Sequence, residues 1–180
     1  MKTNPWKILN TKQIFSNPWI RIQASKVIDP GGKGGEYTVV HFQNVAVAIL
    51  PLDEDNNTWI VGQYRFPLDR FEWELPEGGS PLGKDLLENA KRELQEETGI
   101  QANKWEKILE MQLSNSVTDE ISVSYIAREL TIGESQPDSN ERLYLRKLPF
   151  SELYEMVMKG DVRDALTVAT VLKARSLIEF

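Results

Sequence analysis

The stretch Glu88–Ile100, with the sequence ENAKRELQEETGI, constrains this chain more than any other. It predicts a helix that ends at Gly99. Three carboxylates fall on one face of this helix, because a helix turns every ~3.6 residues, and they are Glu93, Glu96 and Glu97. Adjacent like charges destabilise a helix, and acids in its last turn oppose the helix dipole. A divalent cation bound by these oxygens would remove the conflict, whereas a solvated face of salt bridges would not explain the acids beside the helix end.

The composition narrows the classes of function. The chain has 180 residues and a net charge of −6, which argues against general nucleic-acid binding. It contains no cysteine, which excludes disulfides, thiolate nucleophiles and cysteine-ligated zinc. The single histidine, His41, lies in the strand-like run YTVVHF, and we expect a sheet residue there rather than a catalyst.

Two further observations on the sequence lead to an expectation about where the protein is located. The N-terminal residues MKTNPWKILN lack a hydrophobic signal segment. No apolar run reaches the ~20 residues that a membrane-spanning helix needs. We therefore expect a cytoplasmic protein, with neither nucleic acid nor a membrane as a partner.

Strands predominate before the helix. β-Branched and aromatic residues predict three N-terminal strands, at Trp6–Leu9, Trp19–Ser25 and Glu36–Phe42, with a glycine-rich hairpin tip at 30–35. The apolar run Val45–Leu52 is typical of a strand that is covered on both faces. Two more strands, Trp59–Phe66 and Phe71–Leu75, lead to the helix, for which Asp85 is the expected N-cap.

The second half of the chain alternates strands with helices. Three strands are expected at Glu106–Leu113, Ile121–Leu130 and Leu143–Lys147, with a polar loop at Ile132–Arg142. Two helices follow, at Ser151–Lys159, with Ser151 as its cap, and at Asp164–Ile178. This order predicts an α+β fold in which a mixed sheet is flanked by helices, with an N-terminal antiparallel strand region.

The helix and the segment before it resemble the Nudix box, the motif of the Nudix hydrolase family. The chain matches that pattern at eight positions: Gly78, Arg92, Glu93, Leu94, Glu96, Glu97, Gly99 and Ile100. The resemblance implies an α/β/α Nudix sandwich over residues 45–180 and hydrolysis of a diphosphate linked to a nucleoside.

The rest of the chain is similar to one branch of that family, the ADP-ribose and nucleotide-sugar pyrophosphatases. The run Gln63-Tyr64-Arg65, the run Glu74-Leu75-Pro76 and the segment from Gly160 to Thr167 carry this similarity. The branch implies that residues 1–44 form a β region that reaches a second copy in a homodimer.

The sequence departs from the family pattern at two places. The box expects a glutamate six residues after Gly78, and this chain has Lys84. ADP-ribose hydrolases of the branch usually carry a proline about fifteen residues past the box, and the corresponding residues 113–117 contain none. ADP-ribose is therefore one candidate substrate among nucleoside diphosphate derivatives.

The resemblance also implies roles for individual residues. The metal, Mg²⁺ or Mn²⁺, would be held by Glu93, Glu96 and Glu97 and by the backbone carbonyl of Gly78 or Gly79. Arg92 would orient a carboxylate, and Glu120 would be the general base, with Asp119 as its rival. Candidates for binding substrate are Arg65, Trp73 and Glu74.

The function expected from these residues is metal-dependent hydrolysis of ADP-ribose or a nucleoside diphosphate sugar to a nucleoside monophosphate and a sugar phosphate. Two alternatives stay open. Lys84 would suit a Nudix domain that binds a nucleotide without catalysis. A nucleoside triphosphate pyrophosphohydrolase is the other alternative, although such enzymes are often shorter at the N-terminus.

Overall fold

The computed structural model describes residues 3–134 and 142–178, and the chain divides into two compact units. The first unit comprises Met1–Asn44 and Gln112–Ile121, and the second comprises Val45–Met111 and Ser122–Phe180. The polar loop expected at Ile132–Arg142 lies mostly outside the described residues.

The first unit contains an antiparallel sheet of three strands in the order β1 (Lys7–Ser16), β2 (Ile20–Ile28) and β3 (Gly34–Phe42). The expected hairpin tip is present between β2 and β3, where Asp29 Oδ1 accepts a hydrogen bond of 2.9 Å from the Lys33 amide. The prediction of a first strand at Trp6–Leu9 was too short. Every residue of β1 is exposed, so no alternation of apolar and polar residues marks its length in the sequence.

The second unit contains two sheets. One has the order β7-β4-β9-β8, in which β4 and β9 are parallel, and the other has the antiparallel order β10-β5-β6. The strands are β4 (Asn44–Pro51), β5 (Asn57–Arg65), β6 (Arg70–Glu74), β7 (Glu77–Pro81), β8 (Ile100–Gln112), β9 (Ile121–Ile132) and β10 (Tyr144–Pro149). A short 3₁₀ helix, Phe66–Leu68, connects β5 to β6. The strand β7 was not predicted, since its sequence EGGSP has no hydrophobic pattern.

Three α-helices complete the described part of the second unit: α1 (Leu86–Thr98), α2 (Phe150–Lys159) and α3 (Ala165–Arg175). The Asp85 side chain caps α1 by accepting hydrogen bonds from the amides of Leu87 and Glu88, as expected. The prediction of Ser151 as a cap was wrong, because α2 already begins at Phe150, directly after β10. None of these helices is long and apolar enough to cross a membrane.

The strand β4 is packed on both faces. Val47 and Ile49 lie in one hydrophobic cluster together with side chains of α1. Leu50 and Leu52 lie in a second cluster together with side chains of α2 and α3. Successive side chains of a strand point to opposite faces, so α1 covers one face of β4 and the other two helices cover the opposite face. The buried strand predicted over Val45–Leu52 and the α+β fold with helices on both sides are confirmed.

Candidate metal and active site

The helix α1 presents its acids at different depths. Glu97 is only 5% exposed and lies in the last turn, whereas the side chain of Glu96 is 33% exposed. The side chain of Glu93 is 13% exposed. The helix ends where expected, at Gly99, whose φ of 73° lies in the left-handed region that glycine adopts without strain. The carboxylates of Glu93 and Glu97 are therefore held at the border of the hydrophobic core.

Arg92 bridges two of the predicted metal ligands. Its Nη2 lies 2.5 Å from Glu93 Oε1, and its Nη1 donates to Glu96 Oε2. These contacts agree with the expectation that Arg92 orients a carboxylate. The carboxylate of Glu88, one turn before Arg92, binds Lys91 at 2.7 Å. Arg92 thus fixes the orientation of two neighbouring carboxylates at once.

Gly78 allows the backbone to approach Glu93 closely. A Cβ atom on residue 78 would overlap the Glu93 carboxyl group. Only glycine lets the first residues of β7 lie against this carboxylate without a shift of one of them. The start of β7 therefore lies against one of the acids that are predicted to hold the metal.

The segment that leads into Gly78 is anchored from three elements. The Leu75 amide donates to Thr167 Oγ1 of α3 at 2.9 Å, and the Pro76 carbonyl accepts from the Ile49 amide of β4 at 2.9 Å. The Glu77 amide donates to Glu97 Oε2 at 3.0 Å. The sheet and two helices therefore determine the path of the chain immediately before the glycine.

Glu77 lies beside the predicted metal ligands and was not predicted as a site residue. Its Oε1 accepts a hydrogen bond of 2.6 Å from Arg65, while its Oε2 is buried and has no hydrogen-bond partner among the residues that the structure describes. Its position directly before Gly78 was the one available indication. A buried carboxylate oxygen without a partner is costly, so a bound cation or proton would stabilise Glu77.

Arg65 is held by two carboxylates. Its Nε and Nη2 donate to the two oxygens of Glu74, at 3.0 and 2.7 Å, and Nη2 also donates to Glu77. Gln63 donates to the same Glu74 carboxylate at 2.7 Å. Glu74 is 1% exposed, so its position is set by these partners. The guanidinium of Arg65, which was predicted to bind phosphate, thus forms ion pairs with two carboxylates of the protein itself in this structure.

The charges around Glu77 do not balance. Burial raises the pKa of Glu77 well above its ordinary value, the charges of Asp164 and Glu74 raise it further, and Arg65 opposes them. Burial also raises the pKa of Glu74, and Arg65 only partly offsets this effect. Negative charge therefore exceeds positive charge here, which favours the uptake of a cation or a proton.

Trp73 lies in β6 and packs partly against the hydrophobic core of the second unit. Its ring meets that of Phe71 edge to face, with the centroids 5.3 Å apart. Gly62 of the neighbouring strand provides the space, because a Cβ atom there would overlap both rings. A role for Trp73 in stacking on a nucleobase stays a prediction.

Lys84 is exposed at the turn before α1, and its amide donates to the Pro81 carbonyl at 3.1 Å.

Within residues 3–134 and 142–178, no group of three acidic or histidine side chains is already arranged to hold a metal ion. Arg92 accounts for part of this, since it binds Glu93 and Glu96. The predicted ligands are present, but two of them are paired with an arginine.

The two acids proposed as the general base lie in the first unit and differ in their surroundings. Asp119 binds His41 and the Phe42 amide. Glu120 is half-buried, and this burial raises the pKa of its carboxyl group. A base with a raised pKa is better matched to neutral pH, so its own surroundings favour Glu120.

Comparison with known proteins places these observations in a family. The model of the NUDIX domain matches residues 42–169. An ADP-ribose pyrophosphatase of Bacillus subtilis is 31% identical over 95% of this chain and 93% of its own length. A methanol dehydrogenase activator of Bacillus methanolicus is also 31% identical, over 92% of this chain and 90% of its own length.

A solved structure supports the fold. The crystal structure of an ADP compounds hydrolase superposes with a TM-score of 0.86 over 98% of this chain and 96% of that chain, at 20% identity. The resemblance found in the box is thus confirmed by the match to the whole domain. Because the family model spans residues 42–169 of these 180, the chain belongs to the NUDIX domain family.

Proposed function

We propose that this protein hydrolyses the diphosphate bond of ADP-ribose or of a nucleoside diphosphate sugar and releases a nucleoside monophosphate and a sugar phosphate. The observation that carries the proposal is the buried excess of carboxylates around Glu77 and Glu97. Such a cluster suits a reaction in which cations and phosphates are bound together. The pyrophosphatase of Bacillus subtilis, whose name specifies ADP-ribose, supports the choice of substrate.

The residues present fit a divalent cation. The available groups are hard oxygen donors, and the buried Oε2 of Glu77, which has no hydrogen-bond partner in the described part of the chain, adds a further oxygen beside them. Glu93, Glu96, Glu97 and the carbonyl of Gly78 would hold the ion, for which Mg²⁺ is our first choice and Mn²⁺ our second. When bound, such an ion neutralises phosphate oxygens and lowers the pKa of water.

The other proposed roles belong to side chains of this chain. Glu120 accepts the proton of the attacking water, and Arg92 orients the carboxylates of Glu93 and Glu96. Arg65 binds a substrate phosphate, and the buried Glu74 contributes by holding the Arg65 guanidinium in place. Trp73 contributes an aromatic surface for the nucleobase.

We also propose a cytoplasmic homodimer. Large apolar side chains on β1 support the dimer, since Ile8, Leu9 and Ile14 are 64%, 62% and 59% exposed. Light scattering coupled to size-exclusion chromatography measures the mass directly, and a species of twice the monomer mass is expected.

A non-catalytic nucleotide-binding domain is the second candidate, and Lys84 is the residue that favours it. The exposure of Lys84 at the turn before α1 instead fits the first proposal, in which the active site works without the usual glutamate. A substrate panel separates the candidates. Cleavage of ADP-ribose or a sugar nucleotide into two monophosphates supports the proposal, whereas release of pyrophosphate from a nucleoside triphosphate supports the triphosphate alternative. Thermal stabilisation by nucleotide without any hydrolysis would support the binding domain.

A further inference from the structure

The segment Ser114–Glu120, in the first unit, is joined to strand β3 through its backbone. The Val40 amide donates to the Val117 carbonyl at 3.0 Å, and the Asp119 amide donates to the Val40 carbonyl at 3.3 Å. These bonds form a short parallel bridge between Val40 and Thr118. The segment therefore follows β3 as an added strand-like stretch and is not a free loop.

Side chains of β3 fix the same segment at two further points. The Tyr37 hydroxyl donates to the Ser116 carbonyl at 2.5 Å. Asp119 Oδ2 lies 2.6 Å from His41 Nδ1, and Asp119 Oδ1 accepts a hydrogen bond of 2.9 Å from the Phe42 amide. Both oxygens of Asp119 are thus engaged by consecutive residues of one strand.

The charge of Asp119 is stabilised by these bonds. Burial raises the pKa of Asp119, but the hydrogen bonds from His41 and the Phe42 amide outweigh burial and lower that pKa below its ordinary value. Asp119 is therefore an anion held by two donors, which makes it a poor proton acceptor. This distinguishes it from Glu120, whose pKa is raised.

The backbone of Glu120 is fixed by the same segment. Its amide donates to Thr118 Oγ1 at 3.4 Å, and its carbonyl accepts from the Leu113 amide at 3.3 Å. The position of the Glu120 backbone is consequently tied to that of Asp119, one residue before it. A shift of Asp119 away from β3 would move Glu120 as well.

We propose that His41 and Asp119 are positioning residues that hold Glu120 in place as the general base. This inference rests on the proposed hydrolysis. A base acts only within hydrogen-bond reach of the proton that it removes, and a displacement of about 1 Å can cost about 100-fold in rate. The only histidine of the chain thereby acquires a role in the reaction without contacting the substrate.

The first experiment removes the histidine and restores its donor. We expect His41→Leu to lower kcat about 10- to 100-fold with little change in KM, since the base is displaced while substrate binding is retained. His41→Asn keeps a nitrogen donor near the position of Nδ1, and we expect it to retain most of the activity. Glu36→Gln changes an exposed acid on the same strand and serves as the control, with unchanged kcat. Thermal melts verify that each variant is folded.

The decisive experiment combines His41→Leu with Glu120→Gln. If His41 acts through Glu120, the double variant has the same kcat as Glu120→Gln alone, because there is no base left to position. If His41→Leu lowers kcat by the same factor in both backgrounds, the proposal is overturned. It is also overturned if Glu120→Gln leaves kcat unchanged, or if folded His41→Leu is as active as wild type. A wild-type protein that cleaves no nucleoside diphosphate derivative would instead remove the proposed hydrolysis, and the role of Glu120 with it.

Discussion

The amide of Glu77 donates a hydrogen bond of 3.0 Å to the Oε2 atom of Glu97. This bond joins the first residue of β7 to the last turn of α1. The carbonyl end of a helix is an unfavourable place for a buried carboxylate, and this amide stabilises Glu97 there. The bond also places the carboxylates of Glu77 and Glu97 close together, which supports the proposed cation site.

Glu97→Gln tests this site. We expect kcat for ADP-ribose to fall by at least ~100-fold, because an amide cannot replace a negatively charged metal ligand. Titration with Mn²⁺, followed by electron paramagnetic resonance, should show weaker binding of the ion by the variant than by wild type.

The matched control for that substitution is Glu88→Gln on the same helix. Glu88 is exposed and paired with Lys91, so its loss should leave both kcat and Mn²⁺ affinity nearly unchanged. Equal activity of Glu97→Gln and wild type would remove Glu97 from the site.

Gly78→Ala probes the close approach to Glu93. The added Cβ atom would overlap the Glu93 carboxyl group, so β7 or Glu93 must move. We expect the free energy of unfolding to fall by about 1–3 kcal/mol, as for other overpacked sites, and activity to fall with it. Gly34→Ala is the control, because a Cβ atom there meets nothing within 4 Å. Urea denaturation of both variants compares them directly, and equal stability would contradict the geometry.

Glu77 should make the stability of the metal-free protein depend on pH. Its pKa is higher in the folded protein than in the unfolded chain. Above a pH of about 4.5 the folded protein therefore keeps a proton that the unfolded chain has already lost. Stability is therefore lost between that pH and the raised pKa. We expect Glu77→Gln to reduce this loss and to raise the melting temperature above that of wild type near neutral pH, in the presence of a chelator. Parallel melting curves for the two proteins across this pH range would argue against a strained Glu77.

Lys84→Glu restores the acid that the family pattern expects. Lys84 is exposed, and an exposed charge interacts with its neighbours by less than about 1 kcal/mol, so we expect kcat/KM to change by less than about fivefold. A large gain in activity would mean that the natural site is impaired and would favour the nucleotide-binding alternative.

The fold features that could be predicted from the sequence are those with local causes. Asp85 and Gly99 delimit α1 through contacts within a few residues, and the apolar run Val45–Leu52 reflects burial of both faces. The strand Glu77–Pro81 could not be predicted, because pairing within the sheet overrides its glycine-rich sequence. Ser151 was misassigned for a similar reason, since α2 continues directly from β10 and needs no side-chain cap.

The only neighbouring residues of the candidate site that could be predicted from the sequence are those that the motif places on one helix. The acids of α1 and Arg92 lie on one helix, so their spacing already predicts that they are neighbours. Arg65 at the end of β5 contacts Glu74 at the end of β6 and Glu77 at the start of β7. These contacts depend on how the strands are arranged, so the hydrophobic pattern of the sequence does not predict them. The pairing of His41 with Asp119 joins residues 78 positions apart and was missed for the same reason.

Metal-dependent cleavage of ADP-ribose is the direct test of whether this protein is a diphosphate hydrolase. The purified protein is treated with a chelator, incubated with ADP-ribose, and assayed again after Mg²⁺ is returned, with both products identified by mass. We expect intact ADP-ribose in the chelated sample and equal amounts of AMP and ribose 5-phosphate once the ion is restored. ADP-ribose and sugar nucleotides that stay intact at micromolar enzyme with either Mg²⁺ or Mn²⁺ would contradict it.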